Sequence, residues 1–191
     1  MLTCRFTSIL MASLLKIKRI PARVRSGFAP YFKVQGLPDS TSDDHWINQY
    51  WQASESRWVT IDVDGSLENY IKFNLYDIPQ GKFDFSADAW LKVRHGEEKP
   101  NHFYNAGGWF GLVAIAWELF YDFHCLMNSE IIYFHHPEIA LLNNFSKNTK
   151  AQLKEIDALA ELMLNPDKNF NQLQKLWTTK KEFRLLKGGL L

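Results

Sequence analysis

Two short runs, "HWINQYW" at 45–51 and "RWVTIDV" at 57–63, constrain the fold more than any other part of the chain. Each mixes aromatic with β-branched residues, the types that suit a pleated surface, and only a short polar connection separates them. They predict an antiparallel hairpin. A register with Trp51 opposite Ser56 leaves the four-residue loop 52–55, a common hairpin length. Six residues back from Trp51 and six forward from Ser56, His45 then faces Asp62 on the same side of the sheet, with Cβ atoms about 5 Å apart. A carboxylate so placed can hold an imidazole.

The segments around the hairpin predict helices. Over 3–18, Phe6, Ile9, Leu10, Leu14 and Ile17 recur at helical spacing, and Met11 and Leu15 widen the stripe, so this helix is expected to be buried. Thr3 is its N-cap and Cys4 its first residue. Pro21 ends it, and "ARVRSGFAPYF" reads as a strand broken at Gly27 and Pro30. "KVQGLPDSTSDD" is a loop by its Gly, Pro, Ser and Asp content. After the hairpin come a loop with Pro79 and Gly81, a short helix over 86–94 and the polar stretch "HGEEKPNH". "GGWFGLVAIAWELFYDFHCLM" is an apolar helical run expected to pack on both sides. Two amphipathic helices close the chain, one with Leu153, Ile156, Leu159 and Met163 on a single face. The other starts after Asn165-Pro166 and turns Phe170, Leu173 and Leu176 inward. The class is α+β in one domain, a core over 1–65 with a helical extension over 66–191 packed on it. With 191 residues and 46% apolar content, such a core can be filled.

Charge excludes some partners. Lys and Arg number 22 against 21 Asp and Glu, which leaves no field to draw the chain to nucleic acid or an anionic membrane. No run reaches the ~18 apolar residues of a membrane span. The N-terminal segment has its basic residues after its apolar middle, the reverse of a signal peptide. Two cysteines without a CxxC pair suit neither a disulfide framework nor a zinc site, so a reducing, cytoplasmic setting is expected.

The chemistry-bearing residues are then few. A thiol at a helix N-terminus feels the positive end of the helix dipole, which favours thiolate, and Cys4 is so placed. With His45 and Asp62 it makes a Cys-His-Asp set, nucleophile, base and orienting acid. Asp64 is a rival to Asp62 on the same face, although its place before Gly65 suits a turn. Trp46, Tyr50, Trp51 and Trp58 suit core and cross-strand packing better than a substrate groove. His124 and Cys125 lie in the most apolar helix and read as structural. Adjacent His135 and His136 lack the further ligands a metal needs. "KIKR" and Lys180-Lys181 are solvated charges.

The order "TCRFTSILMASLLKIKRIPARVRSGF", "DHW", "RWVTIDVD" resembles the transglutaminase-like (papain-like thiol) superfamily, its small bacterial domains especially. In that family a cysteine opens a helix, a strand carrying "IPAR" follows, and a histidine and an aspartate lie on the next two strands. The resemblance implies a papain-like core with Cys4 as nucleophile, His45 as general base and Asp62 as orienting acid. It also implies acyl transfer on a peptide or small amide substrate, by hydrolysis or transamidation, with no metal or organic cofactor. The strong part of the match ends near Asp64; "DIP", "DAWLKVRHG" and "GGWF" carry a weaker one. Only Met1, Leu2 and Thr3 precede the cysteine, where members carry a supporting segment, so the chain resembles a truncated member. A non-catalytic binding domain retaining the fold is the alternative expectation. A third is a structural subunit whose "GGWFGLVAIAWELF" helix packs on a partner chain.

Overall fold

The computed structural model describes residues 3–32, 38, 41–64, 71–133 and 135–184. It is an α+β structure with one mixed sheet and six α-helices among the described residues. Helix α1 spans Cys4–Ile17 and is followed by strands β1 (Ala22–Ala29), β2 (Ser42–Gln52) and β3 (Arg57–Ile61). The second half adds β4 (Asp84–Phe85), α2 (Ser86–Arg94), β5 (Phe103–Asn105), β6 (Trp109–Phe110) and α3 (Leu112–Leu126), then α4 (Leu142–Phe145), α5 (Lys150–Met163) and α6 (Phe170–Thr179). The sheet runs β4-β1-β2-β5-β6, with β3 also on β2, so both halves of the chain contribute strands. The expected antiparallel sheet is corrected at one point, since β5 pairs with β2 in parallel. No described helix is long and apolar enough to cross a membrane.

Strand β2 organises the molecule. One edge is paired to β1 from Asp43 to Tyr50. The other edge is shared in turn by β3 from Asn48 to Gln52, by α1, and by β5 at Ser42 and Asp43. The helix takes its share through side chains: the Ser8 hydroxyl donates to the Trp46 carbonyl at 2.8 Å, and the Asn48 amide donates to the Ser8 carbonyl at 2.9 Å. The face of α1 so seated is not an apolar stripe: its buried residues are Arg5, whose Nε donates to the Ile131 carbonyl, Ser8 and Ala12. The expectation of a buried apolar stripe is therefore wrong in orientation. Phe6, Leu10, Leu14 and Ile17 are 46%, 50%, 51% and 74% exposed. Thr3 is the N-cap, but its side chain makes no capping hydrogen bond.

Three further expectations need correction. The hairpin pairs Trp51 with Trp58 and Asn48 with Ile61, two residues from the expected register, around a loop at 53–56 with Ser56 in the left-handed region (φ 52°). A slip of two keeps every side chain on its face. Strand β1 runs unbroken through Gly27, because β4 crosses there; a Cβ would lie 2.3 Å from the Asp84 carbonyl oxygen. "GGWF" is strand β6 and turn instead of helix, and α6 begins at Phe170, itself 44% exposed, leaving Leu173 as that helix's buried residue. The other helices fall as expected: α2 covers 86–94, α3 is buried from Ala114 to Cys125, and α5 buries Ile156, Leu159 and Met163. The loop expected over 33–44 ends earlier, because β2 already begins at Ser42, while residues 33–37, 39 and 40 lie outside the described residues.

Two apolar clusters hold the sheet. The larger joins α1, α2, α3, α5 and α6 to Val24, Phe28 and Trp46. The smaller gathers Ala29, Ile47, Ile78 and Phe83 under Tyr31, Phe32, Phe73 and Phe85. Trp46 is core, and Trp51 meets Trp58 edge to face at 5.7 Å, so neither lines a groove.

Candidate active site

The site forms where the second edge of β2 changes hands. Ser8 sits level with Trp46 and Asn48. One helical turn earlier is Cys4, about 6 Å back along the axis, roughly two strand residues. That displacement brings the first residue of α1 to the level of His45. Cys4 lies near enough to the ring for its charge to favour the protonated imidazole. Cys4 is half-buried, and His45 is fully buried.

The imidazole is held on three sides. Its Nε2 lies 2.8 Å from Asp62 Oδ2. Phe32 stacks on it at 4.8 Å and 18°, and Tyr31 meets it edge-on at 6.3 Å. Nδ1 has no hydrogen-bond partner among the described residues, so this nitrogen is open to a reacting group. Burial acts to lower the ring's pKa, but the Asp62 hydrogen bond, then the Cys4 contact and both charges, outweigh it and raise the value to about 10. The surroundings thus favour the charged ring, the kind of counter-ion that suits a nucleophilic sulfur.

Asp62 reaches His45 without being paired across from it. The β2–β3 ladder ends at Asn48 and Ile61, and the Asp62 N–H donates to the Leu75 carbonyl at 2.8 Å instead. The side chain approaches His45 diagonally. Its carboxylate accepts from His45, from the Tyr31 hydroxyl at 2.9 Å and from the Asp64 N–H at 3.0 Å. Burial pushes the carboxyl up, and the His45 bond and charge together with the other two donors overcome this, so the acid stays ionised below its ordinary range. Asp64 supplies that N–H and is the neighbour of the pair.

Behind the thiol lies a buried acid pair that sequence reasoning missed. Glu118 of α3 accepts from Asn105 Nδ2 at 2.8 Å and from the Ser26 hydroxyl. Asp44 accepts from the Ala106 N–H at 2.7 Å and more distantly from the same Asn105 amide at 3.4 Å. Burial, then the charge of Asp44, holds Glu118 well above the carboxylate range, and Cys4 adds to the effect. Burial likewise lifts Asp44 to about 6, against the Ala106 bond and His45. Tyr133 was also missed; its hydroxyl lies 3.7 Å from Cys4 Sγ. Tyr31, Asn105, Glu118 and Tyr133 are distant in sequence from the residues they touch, and no local pattern marks them.

Other titratable residues stand apart. Asp122 takes Arg25 in a two-pronged pair, both contacts 2.8 Å. His124 is tied to the Ser129 carbonyl at 3.0 Å, Cys125 is buried, and His136 stacks on Trp117 with burial lowering its pKa to about 3. No three His, Cys, Asp or Glu among the described residues are placed to hold a metal. A sulfur, an imidazole and a carboxylate in series can perform nucleophilic acyl chemistry. Comparison with protein-family models, with curated proteins and with solved structures finds no match to this chain.

Proposed function

We propose that the chain is a thiol-dependent acyl-transfer enzyme with a transglutaminase-like, papain-like core, acting on a peptide or small amide in a reducing, cytoplasmic compartment. The observation that carries this is the 2.8 Å bond from His45 Nε2 to Asp62, supported by a half-buried Cys4 at the start of α1 close enough to raise the pKa of the same ring. The Cys4 thiolate attacks the carbonyl carbon, and the π electrons move to oxygen. As the tetrahedral adduct collapses, the C–N bond breaks and His45 gives its Nδ1 proton to the departing amine. A thioester remains. Water or a second amine then attacks it, neutral His45 takes up the attacker's proton, and the released sulfur leaves acid or new amide. Among the described residues the first backbone bond of α1 runs from Thr7 to Thr3, and the N–H groups of the turn before it stand at the helix end, where they would receive the oxyanion.

A small ester such as p-nitrophenyl acetate tests this. The expected result is a burst of nitrophenol and an acetyl group on Cys4 by mass spectrometry, both lost in Cys4→Ser. Absence of acylation at Cys4 overturns the proposal. One observation favours a second reading, a binding module: the exposed stripe of Phe6, Leu10, Leu14 and Ile17 along α1. An intact fold with an unreactive Cys4 is the outcome that selects it.

A further inference from the structure

We propose that Tyr133 is a catalytic residue of this site, donating its phenolic hydrogen to the oxyanion formed when Cys4 attacks a carbonyl. The inference rests on the acyl-transfer reading above. The hydroxyl lies 3.7 Å from Sγ. In the tetrahedral adduct the oxyanion is one bond beyond the carbon that sulfur has joined, so an adduct whose oxygen turns to the Tyr133 side brings it within hydrogen-bond reach of this donor. No proton is transferred. The O–H···O bond strengthens as negative charge builds on oxygen and relaxes when the thioester forms.

The surroundings of Tyr133 aim and protect that donor. Its ring stands edge-on to Trp46 at 6.1 Å and to Tyr121 at 6.2 Å. The Arg5 guanidinium lies over it, 5.7 Å from the centroid, and Arg5 Nε is anchored on the Ile131 carbonyl at 2.9 Å. The residue after the nucleophile thus ties the 131–133 segment to the start of α1. Burial, then the neighbouring Cys4, keeps the phenol neutral far above its ordinary range, so it remains a donor at any working pH. The helix N-terminus gives backbone donors from one side; Tyr133 gives one from another element.

Two reactions at one sulfur test this. Iodoacetamide alkylates Cys4 at a saturated carbon with loss of iodide and passes through no oxyanion, whereas p-nitrophenyl acetate acylates it through one. In the full 191-residue chain, Tyr133→Phe is expected to leave the alkylation rate within about twofold and to slow acylation about 100-fold, the usual effect of removing one oxyanion donor. Alkylation at the wild-type rate also reports that the variant is folded. Equal loss in both reactions would assign Tyr133 to holding the thiol, and unchanged acylation would remove it from catalysis; either overturns the inference. A wild-type chain that is alkylated rapidly but never acylated refutes the acyl-transfer reading itself, and the Tyr133 role with it.

Discussion

The pairing of His45 with Asp62 sets what each reacting group can do. The carboxylate has three donors in the fold, His45, Tyr31 and the Asp64 N–H. Replacing Asp62 with Asn weakens the hydrogen bond and removes the charge that do most to outweigh the burial of the ring. The His45 titration is then expected to fall from about 10 toward the ordinary value near 6.5, read by NMR of the ring protons. Acylation, which uses the imidazolium as acid, is expected to drop by about 100-fold or more, and its alkaline limb to move to lower pH. A titration left near 10 contradicts the assignment of Asp62. At this scale the meeting of His45 with Asp62 was legible, since the two lie along and just beyond one hairpin and are residue types that announce chemistry. Tyr31 and Tyr133 carried no such mark, since a tyrosine after Pro30 or in a loop reads as surface or core until its partner is seen.

The way α1 lies along β2 positions the nucleophile. The two clamp bonds at Ser8, to Trp46 and from Asn48, replace the strand pairing that β3 relinquishes beyond Asn48. Asn48→Ala removes one buried hydrogen bond and leaves the Ser8 carbonyl without that donor. About 1–3 kcal/mol of stability is expected to be lost in denaturant titration, together with slower alkylation of Cys4. Unchanged stability and reactivity would show that the clamp is dispensable. Gly27 bears on the other side of the same strand. It stands opposite His45 in the β1–β2 ladder, and an added Cβ meets the Asp84 carbonyl oxygen at 2.3 Å. Gly27→Ala is therefore expected to displace β4 and lower the unfolding free energy by about 1–3 kcal/mol. The hairpin was legible because aromatic and β-branched alternation has a period of two, and an error of two in register leaves the faces intact. The helix orientation was not. Periodicity located the apolar stripe of α1, but a helix packed edge-on against a strand is selected for small residues, and Arg5, Ser8 and Ala12 form no hydrophobic pattern.

Across the whole molecule, buried ionisable groups link the site to pH. His45 is held above its unfolded value, so its stabilising contribution is complete below about pH 6.5 and is lost as pH rises toward 10. Glu118, also raised, is protonated in the fold while its unfolded counterpart ionises above about 4.5, so it too withdraws stability as pH rises. From these two groups stability is expected to decline from about pH 4.5 upward, through Glu118 first and through His45 as well above about pH 6.5. Glu118→Gln keeps the shape without the titration, and relative to wild type it should gain up to about 1 kcal/mol per pH unit on that limb. Parallel stability curves for the two proteins would place the Glu118 titration outside this range. The fold class was legible from element types, yet the sheet's order was not, because β4, β5 and β6 are two or three residues long and reach β1 and β2 from the second half of the chain. Glu118 and Asn105 enter the site only through that closure.

The most direct measurement is alkylation of the folded chain by iodoacetamide at pH 7, with peptide mapping to separate Cys4 from Cys125. Cys125 is an internal control, since burial raises its thiol well above the ordinary range and removes it from solvent. The expected result is labelling of Cys4 far ahead of Cys125 and at least about tenfold faster than in His45→Ala, because the imidazolium supplies the thiolate's counter-ion. Labelling of Cys4 at the same rate with and without His45 would contradict a working sulfur–imidazole pair.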